Sequence, residues 1–479
     1  MRVSRVARFC LNTLCLTTCL WAAPRPASSP EALIFTNINV VDMRQGEVNH
    51  NMTVVVKGGR ITAVARVGLI GQGHHIRVIN AHGKYLIPGL WDMHVHSAFV
   101  PGTWDERTIY PLYIANGVTG IRDMGGDLDL LEQRRARITR GELVGPQMII
   151  AGPFLVDAKT DRQTIKVTTP EDARKAVDTL KTRGVDFVKI LSDLSRESYF
   201  AIAQETEKEK IPFVGHVPDS ISVAEASSAG QRSIEHLTGV LLACSAQESE
   251  LRERRLKARA NHDYAAFSEI SKQLMATYDP DKAHGLFLDL AKNNTWQVPT
   301  LVWTETSASI DAPNLTADPR LKYVPASVKE QWAPEKLLKQ TPPQQLAASR
   351  TEAARDLKLV NAMHEAGVQF LAGTDGPDPY VFPGFSVHDE LGWLVKSGFT
   401  PLQALQAATI NPAVFLLKSD QYGVVEPGHA ADLVLLDANP VEDIRNTRRI
   451  FAVVVGGKYY SRRILDEMLD QVGRAAAKQ

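Results

Sequence analysis

His94-Val95-His96 closes an apolar run, and residues i and i+2 of a strand share a face, so both imidazoles point the same way. Two imidazoles at that spacing can grip one metal ion, although such a pair on its own is as often simply polar. Further ligand types recur at the ends of other apolar runs: His216 in Val214-Gly215-His216, His236 in Ile234-Glu235-His236, and Asp375 in Leu371-Ala372-Gly373-Thr374-Asp375. Histidine and aspartate are seldom buried without partners, so a set of them at strand ends argues for a metal centre rather than packing.

Lys189 sits inside the apolar run Asp186-Phe187-Val188-Lys189-Ile190-Leu191. A lone lysine there is usually a salt bridge or a snorkelling stem. Beside metal ligands a free ammonium would be expensive to desolvate and would repel the cations. Carbon dioxide adding to the neutral amine resolves this, giving a carbamate with one oxygen for each of two metals. Two divalent cations against carbamate, Asp375 and a bridging hydroxide leave a net positive charge that suits an oxyanion. Ions about 3.5–4 Å apart lower the pKa of a shared water and polarise a carbonyl. Imidazole with carboxylate-type oxygen suits zinc best, with manganese, cobalt and nickel still open.

These residues need a scaffold that brings strand ends together. Apolar runs at 85–96, 120–122, 148–151, 187–191, 213–216, 233–236, 297–301 and 370–374 alternate with helical stretches, the rhythm of a parallel sheet and the strand number of a (β/α)8 TIM barrel. Thr169-Pro170-Glu171-Asp172 and Thr400-Pro401 read as helix starts, and Gly184 as a stop. The barrel spans 83–419. Residues 32–82 and 420–465 carry short alternating β-runs at both chain ends and read as one composite β-sandwich domain, with Gly58-Gly59 as a hairpin turn. Two stretches exceed ordinary barrel loops: a charged helical insertion at 247–293, and a Pro-rich segment at 303–343 that follows the seventh strand and is placed to act as a lid.

Pro88-Gly89-Leu90-Trp91-Asp92-Met93-His94-Val95-His96, with Lys189, His216, His236 and Asp375, resembles the amidohydrolase superfamily. Asn116-Gly117-Val118-Thr119-Gly120-Ile121-Arg122-Asp123-Met124-Gly125-Gly126, Ser386-Val387-His388-Asp389-Glu390-Leu391 and Gly423-Val424-Val425-Glu426-Pro427-Gly428-His429-Ala430-Ala431-Asp432-Leu433 are similar to its imidazolonepropionase-like branch, which includes binuclear Xaa-Pro dipeptidases. The resemblance implies a carboxylated Lys189, and an Asp375 that takes the proton of the bridging hydroxide. Deaminases of the superfamily generally use one metal and a glutamate soon after the fifth-strand histidine. Here Val217-Pro218-Asp219-Ser220 follows His216 with no such glutamate, and the presence of Lys189 favours two-metal hydrolysis of a C–N bond, in a dipeptide, Xaa-Pro included, or an N-acyl amino acid. The 247–293 insertion departs from the compact dipeptidases. Arg122, Tyr323 and His388 are the candidates for holding the substrate.

The chain carries 54 basic and 54 acidic residues, a balance that gives no basic footprint for nucleic acid. Arg2, Arg5 and Arg8 precede an apolar stretch ending at Ala22-Ala23, which reads as a signal peptide over 1–22 and an exported, periplasmic or extracellular protein. Leu16-Thr17-Thr18-Cys19 is a looser match to a lipobox, so lipidation of Cys19 is the lesser reading. The other leader cysteines are Cys10 and Cys15, which leaves Cys244 alone and no monomer disulfide. The expected partner is a small-molecule substrate, and a homo-oligomer is compatible with this composition. A lactonase or esterase on the same centre is the enzymatic rival. A retired binding protein is the non-enzymatic one, and it should have lost a ligand.

Overall fold

Tyr85–Pro88 splices the two ends of the chain together. One edge of this strand runs parallel to Ala32–Val41 and the other antiparallel to Leu433–Leu436, so strands from both ends share one eight-stranded sheet. This differs from the expected two-layer sandwich, because the splice makes the two ends hydrogen-bonded neighbours. The sheet still curls enough for the Ile61 N–H to reach His429 O at 2.9 Å. Phe35, Ile38, Val54, Leu86, Leu433 and Val454 then meet in a common buried core. The C-terminal helix Arg462–Ala476 runs past the boundary read at 465 and packs on the helix Glu106–Ala115.

The computed structural model describes residues 32–66, 76–99, 104–157, 161–261 and 263–479, and the leader at 1–22, with Cys19, lies outside them. Among the described residues no helix is long and apolar enough to cross a membrane.

From the splice the chain continues directly into Leu90–Val95, the strand that ends at the first histidine pair. Leu90–Val95, Val118–Asp123 and Gln147–Ile150 form a parallel sheet. Val188–Ile190, Phe213–Gly215, Ser233–Glu235 and Trp296–Val298 are successive parallel neighbours in another. The Asp186 N–H donates to Ile150 O at 2.9 Å between the two sheets. On the far side, segment 370–376 is held by isolated bridges, Gln297 to Phe370 and Val95 to Gly376. It is not the regular strand expected at 370–374, because the N–H groups of both Thr374 and Asp375 turn onto His94 O and Asp375 takes a left-handed φ of 63°.

The helix starts follow their local chemistry. Thr169 and Thr400 each accept from the third helical N–H in a reciprocal capping box, with proline at the first turn, and Gly184 ends the first of these helices at φ 73°. Residues 247–293 fold as three helices, Glu248–Ala260, Tyr264–Ala276 and Pro280–Lys292. Arg255 and Arg259 of the first reach the buried carboxylate of Asp219, bracing the loop that follows His216. Segment 303–343 is a chain of short helical turns, including Ala326–Gln331 and Pro334–Gln340.

Candidate metal centre

His94, His236 and Asp375 place ligand atoms within 4.8 Å of one another. Asp375 Oδ1 lies 3.2 Å from His94 Nε2 and 3.1 Å from His96 Nε2, and its Oδ2 lies 3.8 Å from His236 Nε2. The His216 ring sits 5.2 Å from that of His236, edge to face. Lys189 is 1% exposed between fully buried Val188 and Ile190, and forms no salt bridge among the described residues. Burial pushes its ammonium down to about 8, against the nearby negative charges of Glu235 and Asp375. The six residues read as ligands therefore share one neighbourhood.

Two glycines permit the approach. Gly215 has φ 132°, and a Cβ there would stand 2.2 Å from Ile190 O. A Cβ on Gly373 would stand 2.7 Å from the Cβ of His94. Any side chain at either position would push a ligand strand aside.

Each histidine uses Nδ1 to anchor itself. That of His94 donates to Glu235 Oε2 at 2.7 Å and that of His96 to Gly125 O at 3.1 Å. His236 bonds Thr300 Oγ1 at 2.7 Å, whose own proton goes to Pro299 O, and His216 bonds Ser192 Oγ at 2.8 Å. For His94, His96 and His236 the partner oxygen can only accept, which puts the proton on Nδ1 and leaves the Nε2 lone pair free, the arrangement in which histidine binds metal. His94 Nε2 is buried with no hydrogen-bond partner, a donor atom oriented for an ion. Burial drives His216 well below its ordinary range and His236 to about 3, so both imidazoles stay neutral ligands. Burial works against the charge of Asp375, yet in its contact with His94, His96 and His236 the carboxylate is held well below its usual range. The donor set fits divalent metal.

Below the histidines lies a buried polar layer. Glu235 is fully buried, and Arg122 Nη2 pairs with it at 3.0 Å while Arg122 Nε donates to Met93 O at 2.6 Å. Asp92 receives the Thr374 N–H at 3.0 Å and its hydroxyl at 2.7 Å, tying the first strand to the segment that bears Asp375. Burial lifts the Asp92 carboxyl to about 7 in spite of these bonds.

The three substrate candidates have other partners. Arg122 is fully buried and spends its guanidinium on Glu235, Met93 and Ser233. His388 has both ring nitrogens taken, by Thr447 Oγ1 at 2.9 Å and Asn116 O at 3.0 Å. Tyr323 stacks on Phe385 at 5.4 Å and packs on the C-terminal helix at Gly473. Arg122 and His388 thus spend their polar atoms on local partners, and the Tyr323 ring is committed to its stack.

Glu235, Asp92, Thr300 and Ser192 went unread in the sequence. Glu235 is the instructive case, because as the neighbour of an inward histidine it should face outward. His236 has φ 56°, which breaks the strand alternation and lets both side chains turn to the interior.

Glu390 adds a further support. It is fully buried and accepts the Val302 N–H at 2.7 Å, capping the helix Leu301–Ser307 that begins just after Thr300. Burial raises its carboxyl from an ordinary 4.5 to about 8. Between those values the unfolded chain has lost a proton that the folded chain keeps, so stability falls as pH rises through this window. Glu390→Gln cannot ionise and should remove this part of the slope. Urea midpoints at pH 5 and pH 8 check it: the drop should be larger in wild type, and equal drops would contradict the assignment.

A model of the amidohydrolase family matches residues 85–459. This chain belongs to the amidohydrolase family. The ochratoxinase of Aspergillus niger is 24% identical to it over 437 residues, covering 78% of this chain and 75% of the relative. The imidazolonepropionase of Shouchella clausii is 25% identical over 436 residues, covering 87% of each. The solved structure of a Xaa-Pro dipeptidase with methionine bound in its active site superposes with a TM-score of 0.65 at 19% identity, covering 90% of this chain and all of the other. The amidohydrolase lies in the imidazolonepropionase-like branch and is a hydrolase acting on carbon–nitrogen bonds.

A cavity of about 860 Å³ is remote from this chemistry. It is lined by Phe187, Phe213 and Arg232 at the opposite ends of the strands. A smaller one of about 420 Å³ adjoins His96 and is roofed by Val328, Gln331 and Trp332 of segment 303–343.

Proposed function

We propose that this amidohydrolase cleaves a dipeptide or other amide C–N bond, at a centre of two divalent ions held by His94, His96, His216, His236, Asp375 and carboxylated Lys189. The observation that carries the reading is the set of His94, His96 and His236 Nε2 atoms around Asp375, with these imidazoles and that of His216 each anchored through Nδ1. Zinc best suits that donor set. Bound ions supply an activated water and polarise the scissile carbonyl.

The chain's own residues do the rest. Asp375, kept ionised beside the histidines, takes a proton from the attacking water on one carboxylate oxygen and delivers it to the leaving nitrogen. Glu235 and Arg122 hold His94 in its ligating tautomer from below. Phe99, Trp303 and Trp332 limit water at the mouth, with segment 303–343 as the lid.

We read the parallel strands as a closed eight-stranded barrel, supported by the Asp186–Ile150 bond and by the two bridges that join segment 370–376 to its neighbours. Export with removal of 1–22 completes the proposal. The test is a panel of Xaa-Pro dipeptides, N-acyl amino acids and lactones given to the purified, zinc-loaded enzyme. Greater kcat/KM on amide substrates supports the reading, and turnover confined to lactones or esters overturns it.

A further inference from the structure

With Arg122, Tyr323 and His388 engaged elsewhere, the groups that read the substrate must be sought in the cavity beside the centre. Part of its wall is aromatic. Phe99 lies 5.3 Å from His96, Trp104 lies 6.4 Å from Trp332, and all four residues line the space. The acid on this wall is Asp378, three residues beyond Asp375.

Asp378 is held in place from one side. Its Oδ2 accepts the indole N–H of Trp303, whose ring also lies 5.7 Å from that of His236. Among the described residues its other oxygen receives no hydrogen bond, and no lysine or arginine forms a salt bridge with it. The lining also includes Lys336, but that ammonium is paired with Glu330 at 2.7 Å and is half exposed. A half-buried carboxylate without a cation, set among aromatic faces, is a receptor for a positive group, since ring faces attract cations and the carboxylate supplies the counter-charge.

We propose that Asp378, with Phe99, Trp104 and Trp332, forms a subsite for a substrate ammonium group next to a bulky apolar side chain. The proposal rests on the C–N hydrolase reading and narrows it: the acyl half of the substrate carries a free α-amine, as in an unblocked dipeptide. The reach is right, because one carbon separates the α-ammonium of a dipeptide from its scissile carbonyl, and the cavity begins at His96. Burial and the charge of Asp375 lift the Asp378 carboxyl to about 7, a state that an incoming ammonium would reverse.

Calorimetric titration of the metal-loaded full chain with 2-phenylethylamine and 2-phenylethanol tests this without any turnover. In wild type the amine should bind roughly tenfold more tightly than the alcohol. Asp378→Asn should bring that ratio near unity, whereas Trp332→Ala should weaken both ligands. The proposal is overturned if wild type shows no preference for the amine, or if the preference survives in Asp378→Asn, as it would for an amine that merely ligates metal. Should Asp378→Asn fail to fold by circular dichroism, Trp303→Phe removes the bond that holds the carboxylate. A reduced ratio there supports the subsite and an unchanged one overturns it. Amine selectivity together with hydrolysis of lactones alone would leave the subsite standing and remove the C–N reading. Dipeptide hydrolysis without amine selectivity would do the reverse.

Discussion

On the proposed two-ion centre, Lys189→Ala should lower bound metal from two ions per chain to one or none, and kcat/KM should fall by about a thousandfold or more, since removing even an outer-shell partner of a metal ligand costs 10–100-fold. The residue is 1% exposed, with both strand neighbours fully buried, so water cannot screen a charge there. Burial already pushes its ammonium down to about 8, which raises the fraction of neutral amine available to carbon dioxide. Two cations a few ångströms apart repel strongly, and only a bridging anion makes their joint occupancy favourable. Metal analysis of wild type and variant, each with and without bicarbonate, checks this. Two ions and full activity in Lys189→Ala would exclude the carbamate.

Asp375→Asn is the second large effect. It keeps the shape of the side chain while removing its ability to take a proton, so kcat should fall by about 10²–10⁴-fold with a smaller change in KM. The amide keeps one oxygen for a metal, so the protein should fold and retain part of its metal. The pH profile adds a sign. The folded carboxylate lies well below its ordinary 3.8 in its contact with the ligand histidines, in spite of burial. It is therefore ionised across the neutral range, and no acid limb of the wild-type profile near pH 4–6 should originate from it. Wild-type turnover in Asp375→Asn would remove the residue from the proton path.

Residues whose meaning is set by their immediate neighbours are legible in the sequence. The strand-end histidines announce themselves by spacing and by the apolar run that precedes each. The starts at Thr169 and Thr400 are legible because a capping box is complete within four residues. Segment 370–376 was legible as to its ligand but not its shape, because two consecutive N–H groups turn onto His94 O.

The chemical inventory of this amidohydrolase, the order of its strands and helices, and the contribution of both ends to a β-domain are properties of short stretches of chain, and the sequence by itself determined them. Partner choice for buried charge was decided by the tertiary structure. Arg122 meets Glu235 across 113 residues, and Trp303 meets Asp378 across 75. The physical reason is that desolvation forces each buried polar group to find a partner, while nothing local specifies which distant strand will supply it. The same condition turned Arg122 and His388 from substrate candidates into supports, and left Asp378 facing the cavity.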